Sequence, residues 1–322
     1  MSGTPSYQAL PHVPFADLLD FRGKTAVVTG GADGIGFAIT QRLTEAGARV
    51  VVGDLHPGRT GELAAKGHDV RHVPTDVTLQ DQLDGLFDAA MAAHGRIDVF
   101  VNNAGIYPLR AVEEIDGGFW DRMFAVNCKA MFFGAQAASR RMKERGQGGA
   151  IVNLSSICGH KPMPNHCAYD ASKGAVLAMT RNLALALAPH GIRVNSVSPG
   201  LTATPGNLKP ELFRQLQDSG VLDNIPLRRQ AEPFEIASTV LFLASPMASF
   251  VTGTDLLVDG GGPAADHRNR RPRGSEVRRG AGPTPRASSR PSSAMKAPAS
   301  WSTSAPASPR SRKATTSSRS TR

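Results

Sequence analysis

From residue 25 to residue 258, short runs of β-branched and other apolar residues alternate with longer stretches whose apolar positions recur at helical spacing. Strands are predicted at Thr25–Thr29, Arg49–Gly53, Val70–Val73, Ile97–Val101, Ala150–Leu154, Arg193–Val197 and Asp255–Val258. Between them, helices are predicted at about Ile35–Ala46, Leu79–His94, Trp120–Glu144, Tyr169–Pro189 and Phe234–Ala244. Strand–helix alternation over some 230 residues implies a seven-stranded, mostly parallel sheet with helices on both faces. The pattern predicts one doubly wound α/β domain without internal repeats.

Composition and charge change the picture only at the chain's end. The 322 residues carry a net charge of +10, but residues 263–322 contain 14 Lys or Arg against 2 Asp or Glu, so residues 1–262 carry −2. Those last 60 residues hold 18 Ser or Thr and 8 Pro, and no Leu, Ile, Phe or Tyr. Such a segment cannot bury enough apolar surface to offset its ordering entropy, and disorder is expected. The organisation expected is an N-terminal extension over 1–20, a catalytic domain over 21–262 and a basic tail over 263–322. Clustered Arg can neutralise phosphates, but the tail's charges are diluted by Ser, Thr and Pro and only Trp301 could stack on a base. Weak, non-specific nucleic-acid contact is all it predicts.

No apolar run approaches the 18 residues that would span a bilayer, and the start, with Asp17 and Asp20, lacks a signal-peptide pattern. Cys128, Cys158 and Cys167 are odd in number and without CxxC spacing, which disfavours disulfides and structural zinc; they read as small buried fillers. A cytoplasmic protein without a metal is expected.

Candidate chemistry begins where Thr25–Thr29 runs into Gly30-Gly-Ala-Asp33-Gly34-Ile35-Gly36. Glycines at 30, 34 and 36 let the backbone turn tightly and approach a pyrophosphate, whose charge the following helix N-terminus stabilises. Asp54 ends the second strand 18 residues beyond Gly36. A carboxylate there accepts hydrogen bonds from the adenosine ribose hydroxyls and repels a 2′-phosphate, so NAD is favoured over NADP. Asp33 reinforces this preference. Arg59 is the nearest opposing cation, and it reads as a solvated loop charge.

Further on stand Asn102-Asn103-Ala104-Gly105, then Ser155-Ser156, then Tyr169-Asp-Ala-Ser-Lys173 at a helix start. A Tyr and a Lys at i and i+4 share a helix face and converge on one ligand. A hydride moving between a nicotinamide and a carbinol carbon needs a group to take or return the hydroxyl proton. Tyr169 suits this if its phenolate is stabilised, and Lys173⁺ is expected to lower its pKa. Ser156 can hydrogen-bond the substrate oxygen. Ser156 lacks a GxSxG elbow, which disfavours a serine hydrolase.

The TGxxxGIG loop from Thr29, Asp76, the NNAG run from Asn102, Asn127, Ser156, the Tyr169/Lys173 pair, Pro199-Gly200 and Asp259-Gly260-Gly261 follow in order from Phe21 to Gly262. Together they resemble the short-chain dehydrogenase/reductase family. The resemblance implies a Rossmann-like fold, catalysis by Asn127, Ser156, Tyr169 and Lys173, and a homotetramer. It places Asp76, with Val77 beside it, at the adenine, Asn103 with Ala104 and Gly105 on the adenosine side, and Lys173 also at the nicotinamide ribose. Asn127 is implied to hold a water that links the lysine to solvent. Thr204 is implied to contact the carboxamide, with Pro199 and Gly200 shaping the loop and Thr202 in a slot often filled by an aliphatic residue.

The segment from Ile157 to His166, with Ile106-Tyr107-Pro108 and the loop Leu201–Gly220, lies beside these groups. His160, Asn165 and His166 offer donors and acceptors, favouring a polyol, sugar or other small hydroxylated alcohol; a 3-oxoacyl or cyclic ketone reductase is the alternative. A dinucleotide-sensing binding module is the competing class, but it would not need Tyr169 and Lys173. Family members end soon after the Asp259-Gly-Gly motif, whereas here the composition switches at Pro263 to residues encodable by GC-rich codons. That switch resembles a frameshifted or read-through end.

Overall fold

The computed structural model describes residues 12–205 and 222–262. The expected disorder of 263–322, most of the loop Leu201–Gly220 and the first 11 residues of the N-terminal extension lie outside the described residues. Seven strands, β1 Thr25–Thr29, β2 Arg49–Asp54, β3 Val70–Pro74, β4 Val99–Asn102, β5 Gly149–Leu154, β6 Ile192–Pro199 and β7 Asp255–Val258, form one parallel sheet. The helices are α1 Gly34–Glu45, α2 Thr60–Ala65, α3 Gln80–His94, α4 Gly117–Phe124, α5 Ala130–Arg145, α6 Cys167–Leu187 and α7 Pro233–Ala244.

The strand order is β3-β2-β1-β4-β5-β6-β7. The chain works outward from β1 to β3, crosses back to β4 beside β1, and works outward again. That reversal opens a crevice at the carboxyl ends of β1 and β4, where a doubly wound sheet binds its ligand.

Both faces of the sheet are covered, so alternate residues of one strand feed opposite cores. Val28, Val50, Val52 and Val101 pack with Ile39 and Leu43 of α1 and Ile236, Val240 and Leu243 of α7. Val27, Val51, Phe100 and Ile151 pack with Leu86 and Phe87 of α3, Met142 of α5 and Leu187 of α6. Phe87 meets Phe100 edge to face at 5.0 Å. Helix ends are set by local chemistry. Asp33 caps Gly34, while Gly95 and Gly146 close α3 and α5 in the left-handed region at φ 68° and 69°.

Two differences from the sequence pattern concern helices. The stretch read as one helix over Trp120–Glu144 is α4 and α5 joined by a π-helical turn, Ala125–Lys129, and α2 went unpredicted. Arg96 and Arg145 draw the buried Asp98 carboxylate below its ordinary pKa against the cost of burial, and β4 starts just after it.

Candidate active site

The glycine loop is held by its neighbours rather than by its own residues. Gly30 has φ +62°, and a Cβ on Gly36 would lie 1.9 Å from the Gly30 carbonyl oxygen, so no larger residue fits at 36. Asn103 Nδ2 donates to Thr29 O (3.1 Å) and Gly30 O (2.7 Å), and Thr29 Oγ1 accepts from the amides of Asn103 (3.2 Å) and Ala104 (3.3 Å). Asn103 therefore fixes the loop, and Ala104 and Gly105 follow it into the crevice. Asp33 Oδ1 accepts from the Gly34 amide at 2.7 Å, and Ile35 packs against the α1 core.

At the end of β2, Asp54 Oδ2 accepts from the Ala32 amide at 3.1 Å, which joins the carboxylate to the loop. Beyond β3, Asp76 Oδ1 accepts from the amide (2.9 Å) and hydroxyl (2.7 Å) of Thr78, and Val77 packs on the α3 side. From β6, Pro199 leads into Gly200, whose Cβ would lie 2.8 Å from Asp259 Cα. Thr202 is buried, with Oγ1 on Gly200 O at 3.0 Å, and Thr204 stands against Gly34, 3.6 Å from where a Cβ would be. The aliphatic slot suspected for Thr202 is thus filled by a threonine that satisfies its own hydroxyl.

The catalytic candidates converge at the ends of β5 and α6. Ser156 Oγ accepts from the Cys158 amide (3.1 Å) and lies near enough to the Tyr169 phenol to favour its charged form. The turn Ile157–Gly159 lies directly on α6: a Cβ on Gly159 would meet the Lys173 carbonyl carbon at 2.9 Å. Lys173 Nζ lies 5.7 Å from the Tyr169 ring centroid and donates to Leu154 O at 2.8 Å. One of its three donors is so used, and Nζ lies 3.6 Å from where a Cβ on Gly105 would be. A buried ammonium with donors left over beside a glycine could hydrogen-bond a ribose diol.

Asn127, fully buried in the π turn, exchanges hydrogen bonds with the Ile106 backbone: Oδ1 accepts from Ile106 N and Nδ2 donates to Ile106 O, each at 2.9 Å. Its Nδ2 also donates to Ser172 Oγ (3.0 Å), whose hydroxyl donates to Tyr169 O (2.7 Å). Ser172 is the link that sequence reasoning missed. The signal was its place one helical turn after Tyr169 and immediately before Lys173.

Lys173⁺ and a cationic nicotinamide are both expected to lower the phenol's pKa, but among the chain's own groups burial is the larger effect. It pushes Tyr169 above an ordinary tyrosine, with the Ser156 hydroxyl acting in the opposite direction. Burial likewise pushes Lys173 down to about 8, weakening the very charge that was to act on its neighbour. Burial holds Cys128 and Cys158 as thiols, raised to about 11, whereas Cys167 is exposed and is no filler.

The three polar substrate candidates separate. His160 turns away to Asp255 at the start of β7 (Nε2 to Oδ2, 2.8 Å), and the same carboxylate accepts from Ser196 (2.6 Å) and Ser198 (3.0 Å). Asn165, at φ 62°, accepts the Arg110 amide through its carbonyl, tying the two loops beside the site. His166 packs its ring edge-on to that of Tyr169, with centroids 6.3 Å apart, and its Nδ1 is engaged with Pro164 O at 2.6 Å, which leaves Nε2. Among the described residues, no three His, Cys, Asp or Glu are placed to hold a metal ion, and no helix is long and apolar enough to cross a membrane.

A family model described as enoyl-(acyl carrier protein) reductase matches residues 30–262. A 3beta-hydroxysteroid dehydrogenase 2 from Eggerthella lenta is 39% identical over 248 residues, covering 74% of this chain and 94% of the relative. An L-rhamnose 1-dehydrogenase (NAD(P)(+)) from Azotobacter vinelandii is 39% identical over 246 residues, covering 74% and 96%. The crystal structure of a short-chain type dehydrogenase/reductase from Mycobacterium marinum superposes with a TM-score of 0.71 at 38% identity, covering 77% of this chain and 98% of that one.

Proposed function

This chain belongs to the short-chain dehydrogenase/reductase family, and from that premise we propose that it interconverts a small hydroxylated secondary alcohol and its ketone with NAD. It is an oxidoreductase acting on CH–OH with a nicotinamide dinucleotide. The observation that carries the reading is the convergence of Ser156, Tyr169 and Lys173 beside the glycine loop.

In oxidation, Tyr169 Oη takes the alcohol's proton while Ser156 Oγ holds the same oxygen, and in reduction Tyr169 returns it. When bound, the dinucleotide accepts or donates the hydride and, in its oxidised form, brings a positive charge to the site. Burial disfavours ionisation of the phenol, so the phenolate that accepts the alcohol's proton depends on the cationic charge brought by the oxidised dinucleotide and on the Ser156 hydroxyl. Oxidation releases a proton and is therefore favoured at alkaline pH. Lys173 uses its remaining donors on the ribose hydroxyls. The Asn127–Ser172–Tyr169 chain of hydrogen bonds holds the start of α6 against Ile106, and so keeps the phenol in register with Ser156.

Asp54 and Asp33 support NAD, since each places negative charge where a 2′-phosphate would arrive. With His160 committed to Asp255, the polar support for a polyol or sugar rests on Asn165 and on His166 Nε2, and the relative named for L-rhamnose agrees with it. Homotetrameric assembly is part of the proposal, supported by the exposed apolar Phe132 on α5 and by Phe250 and Leu257 beside the sheet edge. Screening the purified protein for nicotinamide reduction with secondary alcohols and polyols, using NAD and NADP in parallel, tests the function. Turnover should be found with NAD on a hydroxylated substrate, and its absence across the panel would overturn the reading.

A further inference from the structure

The connection between β2 and α2 folds back on the glycine loop. The Arg59 amide donates to Ala32 O at 3.0 Å, while the Ala32 amide donates to Asp54 Oδ2 at 3.1 Å, so one loop residue joins the end of β2 to Arg59. Gly58 permits the approach: its φ is +47°, and a Cβ there would lie 2.5 Å from Ala32 O. The Arg59 guanidinium then lies 4.1 Å from the ring centroid of Phe37, on the first turn of α1. Its Nε and Nη2 donate to the two oxygens of Glu62, each at 2.9 Å.

A planar guanidinium is the group best shaped to take a phosphate in two parallel hydrogen bonds. This one stands over the first turn of α1, and its backbone is joined through Ala32 to Asp54, so it borders the place where the adenosine 2′ position comes if Asp54 holds the ribose. A carboxylate already fills its fork, and the charge of Asp33 adds to that of Glu62 in holding Arg59 in its protonated form.

We propose that Glu62 is a cofactor-selecting residue: by occupying Arg59 it silences a latent 2′-phosphate site, so the preference for an unphosphorylated ribose is set by Glu62 together with Asp54. The proposal rests on the dinucleotide reading above. The Arg59–Glu62 pair is not the solvated loop charge that the sequence suggested for Arg59.

The test compares adenosine 2′,5′-bisphosphate with adenosine 5′-monophosphate by calorimetry on the full chain, without nicotinamide. Arg59 and Glu62 are half exposed, at 51% and 50%, so Glu62→Gln and Arg59→Gln should leave the melting temperature unchanged. Glu62→Gln is expected to raise the affinity ratio of bisphosphate over monophosphate by about two- to fivefold, the range of a surface ion pair. The gain should vanish in the double variant Arg59→Gln/Glu62→Gln, and at high salt. An unchanged ratio in Glu62→Gln would overturn the proposal. So would a gain that persists in the double variant, because loss of negative charge alone would then explain it. If neither nucleotide binds the parent or the variants, the dinucleotide reading itself falls and takes the proposal with it.

Discussion

Replacing Lys173 with Met should abolish turnover and stabilise the protein. The ammonium is buried, at 5% exposure, and its hydrogen-bond partner is the carbonyl of Leu154 rather than a carboxylate. Burial takes its pKa from 10.5 to about 8. That drop corresponds to about 3 kcal/mol, on the order of 1.4 kcal/mol for each tenfold change in proton affinity.

The folded pKa lies below the unfolded one, so the unfolded chain binds more protons between pH 8 and 10.5, and stability rises with pH through that window. The full penalty is present below pH 8. Between pH 7 and 9.5 the parent should gain about 2 kcal/mol from this group, by the linkage relation. Tyr169, whose folded pKa is raised, opposes this where a free tyrosine ionises, around pH 10 and above, and the buried thiols of Cys128 and Cys158 oppose it from about pH 8.5 upward, in parent and variant alike. Met is of similar length and uncharged. The variant removes the penalty but leaves Leu154 O without its donor, at a cost of about 1–2 kcal/mol, so a net gain of about 1 kcal/mol is expected at pH 7.

Urea unfolding of parent and variant from pH 7 to 9.5 reads both effects. The buried thiols of Cys128 and Cys158 pull both proteins down alike as pH rises, so Lys173 is read in the difference: the variant's advantage over the parent should shrink by about 2 kcal/mol between pH 7 and 9.5. Two parallel curves would refute the reasoning.

Asp54→Ser should narrow an NAD preference that in the parent amounts to at least about tenfold in kcat/KM, roughly 1.4 kcal/mol; equal use of both cofactors by the parent would contradict the role given to Asp54. Gly36→Ala forces a Cβ against the Gly30 carbonyl, and should cost about 1–3 kcal/mol of stability and abolish adenosine-nucleotide binding; thermal melting and calorimetry check the two effects. A chain ending at Gly262 should keep its melting temperature and turnover while losing salt-sensitive adhesion to nucleic acid; loss of activity in the truncation alone would make the tail a working part of the enzyme.

The central strands were legible because they are buried on both faces and read as nearly continuous apolar runs, while the edge strands β3 and β7, only partly buried, were marked by their β-branched and apolar residues. Strands β1 and β7 match residue for residue, and the others shift by one or two residues. Helix α2 was missed because only Thr60 and Leu63 of its six residues are buried, too few to show a period. The break at Ala125–Lys129 was hidden because Asn127 is satisfied by the backbone of Ile106, 21 residues away in sequence. His160 was misread for the same reason, since its partner Asp255 lies 95 residues on. Tyr169 and Lys173 could be put on one helix face from spacing alone, because i and i+4 is a local relation, whereas the full set with Asn127 and Ser156 came from the family resemblance. What burial does to their pKa values is set by everything packed around them, and no local pattern carries it.

The central claim is that Tyr169 moves the substrate's proton. Turnover of the best secondary alcohol with NAD should be compared in the parent and in Tyr169→Phe, together with calorimetric NAD binding to each. Removal of the phenolic hydroxyl should lower kcat by about 10²- to 10⁴-fold, the usual worth of a positioned acid or base, while NAD affinity changes little. Full turnover by Tyr169→Phe would contradict the account.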